Sequence, residues 1–186
     1  MFSRKIVALG VCLAIAGCAD APMPTESRVG VVAHDAHYDV SVPLSKVVLQ
    51  VPRDGLYPVR PTGEGSTGSP RYFQLHVERG LTISGWIEPA RLYEPLDLAR
   101  DLAKLAGTPL GRPLNVESLR VGDFDAVAYD LAVAPGVTAV NVRASWHDDD
   151  TWIDLHLSDA GDPASAASLR AEVVAALRGL VVLRKP

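Results

Sequence analysis

Five side chains in the C-terminal third have the types and spacing that could do chemistry: Asp130, Asn141, Arg143, Asp154 and His156. They fall on three apolar-alternating stretches that read as neighbouring antiparallel strands. Closing the first turn at Ala134-Pro135-Gly136-Val137 pairs Leu131 with Val140, Tyr129 with Val142 and Val127 with Ala144. Closing the next around Asp148-Asp149 pairs Ala144 with Ile153 and Val142 with Leu155. A one-residue slip in that second hairpin would set apolar against polar along its length. These registers put Asp130, Asn141 and His156 in one row and Arg143 opposite Asp154. Such a row could hold a ligand, with His156 and Asp130 as donor groups and Arg143 as an anion clamp. The alternative is a half-exposed sheet face, on which polar residues alternate without any function.

Other chemistry is weaker. Ser84, Ser145, His76 and His156 could supply a hydrolase, but no G-x-S-x-G elbow is present. Gly63-Glu64-Gly65-Ser66-Thr67-Gly68 matches G-x-G-x-x-G in letters. It lies among prolines and precedes a strand, whereas the dinucleotide motif needs a strand before it and a helix after it. His34-Asp35-x-His37 has metal-ligand spacing, but it lies in a stretch that promises no rigid second shell, so no metal and no cofactor are assigned.

The N-terminus carries an address. Arg4 and Lys5 precede a short apolar run over residues 6–15, which is too short to span a bilayer and fits an export signal. The run ends in Ile15-Ala16-Gly17-Cys18, which resembles the lipobox of bacterial lipoproteins. That resemblance implies removal of residues 1–17, lipidation of Cys18 and attachment to the periplasmic side of the cell envelope. Ala19 directly after the cysteine favours the outer over the inner membrane. Cys12 and Cys18 are the two cysteines of the 186-residue chain, so the exported part would have no thiol for a disulfide. Loss of Arg4 and Lys5 takes the formal charge from −4 to −6, which excludes the basic footprint of a nucleic-acid binder.

Residues 18–37 carry prolines and no sustained periodicity and read as a flexible tether, leaving 38–186 as one domain. Strands are expected over residues 38–42 and 47–51. A long Pro- and Gly-rich connection follows over residues 52–71, of a length that tends to be functional. The next hairpin, Tyr72-Phe73-Gln74-Leu75-His76-Val77 against residues 81–87, closes through Glu78-Arg79-Gly80 and sets Leu75 against Ile83 and Phe73 against Gly85. Gly80 falls where that loop class wants a left-handed residue. Leu98, Leu102 and Leu105, followed by Gly107, predict a helix. Strands over residues 114–121 and 124–133 precede the meander. Asp162 as N-cap, Pro163 and the face Leu169, Val173, Leu177 predict a second helix ending at Gly179. Residues 180–183 are too short to classify. The order points to an α+β domain, an antiparallel sheet with two main helices packed on it.

The run Gly80-Leu81-Thr82-Ile83-Ser84-Gly85-Trp86-Ile87-Glu88-Pro89, the helix after it and the later strand Trp152-Ile153-Asp154-Leu155-His156-Leu157-Ser158 are similar to the PsbP/DcrB-like superfamily. The resemblance implies an α/β/α sandwich that serves as a non-catalytic accessory, assembly or binding module. Together with the export signal, it makes a lipid-anchored envelope protein with a protein partner the leading expectation. The residue 52–71 connection is then the expected contact surface.

Overall fold

The structure is a computed structural model that describes residues 28–43, 45–59, 71–78, 80–90 and 111–185. Two antiparallel sheets carry the fold. The small one has the order β1-β2-β3-β11, from Gly30–Ala33, His37–Ser41, Val47–Pro52 and Val181–Arg184. The large one has the order β4-β5-β6-β10-β9-β8-β7, from Tyr57–Pro58, Tyr72–His76, Thr82–Pro89, Thr151–Gly161, Val137–His147, Phe124–Ala134 and Leu114–Val121.

One face of each sheet is apolar, and the two faces meet. Val40, Val47, Leu49 and Val51 from the small sheet join Leu75, Ile83, Ile87, Ile153, Leu155 and Leu157 from the large one in a single cluster. Each is at most 1% exposed, which is worth about 1.5–3 kcal/mol per side chain. The period-2 burial of β10 follows directly from its Ile-x-Leu-x-Leu alternation.

Helix α1, Ala166–Arg178, adds Val173 and Leu177 to the same cluster. A 3-10 turn over Pro163–Ser165 leads into it, and the Asp162 carboxylate accepts from the amides of Ala164 and Ser165, as its expected cap role requires. Among the described residues this is the one helical stretch, so two main helices and an α/β/α layering are not observed there. The first expected helix, with Leu98, Leu102 and Leu105, falls on residues 91–110, outside the described residues. No helix among the described residues is long and apolar enough to cross a membrane.

The β5–β6 register is the expected one, with Leu75 opposite Ile83 and Phe73 opposite Gly85. Gly85 is obligatory, since a Cβ there would lie 2.3 Å from the Asp154 carbonyl oxygen of the adjoining strand. Gly80 does not adopt the left-handed conformation expected of it. Three further departures are informative. Residues 30–33 and 37, expected in the tether, are strand, because β1 pairs with β2 and places Val31 opposite Val40. Tyr57–Pro58, expected in the long connection, forms a short strand on β5; residues 60–70 of that connection lie outside the described residues. Residues 181–184, left unclassified by their length, return to β3 as its outer neighbour.

Candidate functional site

The meander that carries the candidate row has two registers, and both differ from expectation. The β8–β9 turn closes as anticipated, with Ala134 opposite Val137. A β-bulge between Ala132 and Ala134 then shifts everything beyond by one residue, so Asp130 faces Val140 and Tyr129 faces Asn141. A one-residue shift moves side chains to the other face. Val127, Tyr129 and Leu131 therefore form a separate buried cluster on the face away from α1.

The β9–β10 hairpin shifts by two, pairing Leu155 with Ala144 and His156 with Arg143. Its turn starts at Asp148, whose Oδ1 accepts from the amides of Asp150 and Thr151 at 2.9 and 2.8 Å. That Asx arrangement centres the turn one residue later than the apolar pattern implied. An even shift preserves the face.

Asn141, Arg143, Asp154 and His156 consequently do share one face and make the contacts expected of them, diagonally instead of directly opposite. Arg143 Nη2 donates to both Asp154 oxygens, at 3.1 and 2.8 Å. Asn141 Nδ2 donates to the Ala139 carbonyl at 3.1 Å, which turns its Oδ1 toward His156 Nε2, 3.0 Å away. An amide oxygen only accepts, so this network assigns the His156 proton to Nε2. Burial, and after it the neighbouring Arg143 guanidinium, together push the His156 pKa down to about 4. His156 is thus a neutral ring at pH 7.

Asp130 is not in the row. It points to the opposite face, 4% exposed, where Arg170 Nη2 of α1 donates to one oxygen and Asn115 Nδ2 to the other, both at 2.7 Å. A second bulge in β7 and a left-handed backbone at Asn115 (φ 49°) bring that amide to the carboxylate. Asp130 ties the helix to the sheet. Neither Arg170 nor Asn115 stood out in the sequence; the one local signal is an Asn at a strand start, a residue type that tolerates positive φ.

The hydrolase arrangement does not form. Ser84 Oγ donates to the main-chain oxygen of His156 and not to its ring, at 3.3 Å, and His76 Nδ1 pairs with Thr82 Oγ1 at 2.9 Å. Ser145 lines a shallow surface depression with Arg120, Asp125 and His147, and the Arg120–Asp125 ion pair lies across it. At the margin of the row, Glu88 lies 3.4 Å from Arg71 Nε; burial raises its carboxyl pKa, and Arg71 opposes that rise. Cys18 lies outside the described residues.

No family model matches the chain, and no curated protein sequence matches it. Solved structures do. The chain is similar to cyanobacterial PsbP (CyanoP) from Synechocystis, with a TM-score of 0.52 and 14% identity over 83% of this chain and 96% of that one. It is also similar to LpqN of Mycobacterium tuberculosis, described as involved in cell envelope biogenesis, with a TM-score of 0.48 and 14% identity over 86% and 91% of the two chains. The fold is PsbP-like.

Proposed function

We infer that this chain is a lipid-anchored envelope protein, acylated at Cys18, whose PsbP-like domain acts as a non-catalytic accessory module that binds a protein partner. The observation that carries the non-catalytic part is the inward pairing of Asn141 with His156 and of Arg143 with Asp154. A general base needs a free lone pair aimed at substrate and a pKa near the working pH. Asn141 holds the His156 Nε2 proton, which leaves the ring lone pair on Nδ1, but a pKa of about 4 makes that nitrogen a weak base at neutral pH, and both Asp154 oxygens accept from Arg143. These groups join two strands, β9 and β10, and leave no reacting pair.

The anchor follows from the lipobox resemblance at residues 15–18, and a bilayer address follows from the anchor, with the periplasmic side of the outer membrane favoured. A diacylated cysteine binds membranes stably, whereas a single chain binds only marginally. Partner contact is assigned to the Pro- and Gly-rich connection, residues 52–71. The test uses full-length protein purified from its native membrane. Cross-linking should capture a defined partner equally well with wild type and His156→Gln, and should lose it when residues 60–70 are replaced by a short Gly-Ser linker. Capture that survives the replacement, or a free Cys18 thiol in intact-mass spectra, contradicts the proposal.

A further inference from the structure

The outer face of the small sheet carries a cluster that the activity proposed above does not use. His34 and His37 flank the two-residue turn Asp35-Ala36 between β1 and β2, and the His34 amide donates to the His37 carbonyl at 2.8 Å. His37 and Asp39 are two apart on β2 and so share a face, the one opposite the buried Tyr38 and Val40. Gln50 of β3 lies directly across from Asp39. The result is convergence on one carboxylate. His34 Nε2 is 3.1 Å from Asp39 Oδ2, His37 Nε2 is 3.2 Å from Oδ1, and the three ligand atoms lie within 4.8 Å of one another. The two rings stack with centroids 4.7 Å apart.

Hydrogen bonding alone leaves this cluster mismatched. Gln50 Nε2 is 3.0 Å from Asp39 Oδ1 and 3.0 Å from His37 Nε2, which closes a triangle with the 3.2 Å His37–Asp39 edge. If His37 Nε2 carries a proton, it opposes the Gln50 amide; if it carries a lone pair, it opposes the carboxylate; turning the Gln50 amide over sets oxygen against oxygen. With Asp39 as a carboxylate, one edge is therefore repulsive in each of these assignments. A cation between the imidazoles and the carboxylate removes the conflict, because lone pairs on all three ligands can then point at it while Gln50 still donates to Asp39.

The support that the sequence did not promise is present. Arg53 Nη1 donates to the His34 carbonyl and the Arg53 amide to the Ala36 carbonyl, each at 3.0 Å, which fastens the turn to β3. Gln50 fixes the carboxylate, the outer-shell role that orients metal ligands. We propose that His34, His37 and Asp39 form a divalent-metal site of the zinc class, with Gln50 as the positioning residue. Two imidazoles and one carboxylate suit zinc and its late first-row neighbours, whereas magnesium and calcium require oxygen ligands throughout. Zinc bonds of about 2.0–2.1 Å in a tetrahedron place ligand atoms roughly 3.4 Å apart, close to the 3.1 and 3.2 Å from Asp39 to the two imidazoles. With the His34 side chain 45% exposed, the fourth position opens to water or to a donor from outside.

Isothermal titration of the chelator-stripped full chain with zinc chloride tests the site. One equivalent should bind. Affinity should fall at least tenfold in each of His34→Ala, His37→Ala and Asp39→Asn, and less than threefold in His76→Ala and His147→Ala. His34 is on an exposed turn, so its removal leaves the core intact and reports coordination. Cobalt(II) gives a second readout on the unmutated chain, namely an intense visible band of a four-coordinate ion that one equivalent of zinc abolishes. Absence of zinc binding, equal affinity in the three ligand variants, or displacement by equimolar magnesium overturns the proposal.

Discussion

The outer faces of the two sheets present nearly the same side-chain chemistry in opposite circumstances. On the large sheet, the mostly buried His156 and Asn141 pair with each other, as do Arg143 and Asp154, with Arg143 Nε left over. On the small sheet, His34, His37, Asp39 and Gln50 are partly to well exposed and cannot all be matched. Burial with mutual pairing makes a polar row part of the framework, because desolvated groups are costly unless satisfied. Exposure with a residual mismatch leaves free energy for a ligand to recover. Residue type does not separate the two cases; pairing does.

The comparison breaks first at Asp130, the most buried of the candidate groups. Removing one partner of a buried ion pair strands the other, so Asp130→Ala should lower the urea unfolding free energy by about 4 kcal/mol. Asp130→Ala combined with Arg170→Met should cost less than the single change, since no charge is then left alone. Acid should follow in size. The folded His156 value of about 4 lies below the ordinary 6.5, so the unfolded chain takes the proton first as pH falls. Stability from this ring is complete above pH 6.5, declines from there, and is gone near pH 4, a loss of about 3 kcal/mol. His156→Gln should remove that increment from the difference between unfolding free energies measured at pH 7 and pH 4.

Asp154→Asn, which breaks a bidentate but partly exposed pair, should cost about 2 kcal/mol by the same urea measurement. The smallest effect belongs to the other sheet. Asp39→Asn in metal-free protein should change stability by no more than about 0.5 kcal/mol, as surface substitutions do. A cost there comparable to that of Asp154→Asn would mean that the small-sheet cluster is framework as well.

What could be seen in the sequence was whatever local pattern controls. The β5–β6 register follows from Leu75 and Ile83 needing apolar partners, and the Asp162-Pro163 cap from the chemistry of a helix start. The contacts Arg143–Asp154 and Asn141–His156 were also legible, because the register error in that hairpin was even and long side chains reach diagonally. Asp130 was placed on the wrong face because one extra residue, Val133, is accommodated as a bulge that no alternation announces. The His34 cluster is not legible as a site because its stretch reads locally as tether. Its order comes from non-local partners, Val40 and Asp39 across the turn and Arg53 and Gln50 on β3, which a windowed reading does not join. The β11–β3 pairing is hidden for the same reason, as its paired residues lie more than 130 positions apart in the chain.

Histidine-labelled protein followed by ring-nitrogen NMR during a zinc titration tests the contrast between the faces most directly. The Nε2 signals of His34 and His37 should move together and saturate at one equivalent, while the His156 ring stays in its neutral Nε2-protonated form with unchanged shifts. Movement of the His156 signals with His34 and His37 unaffected would reverse the assignment of site and framework.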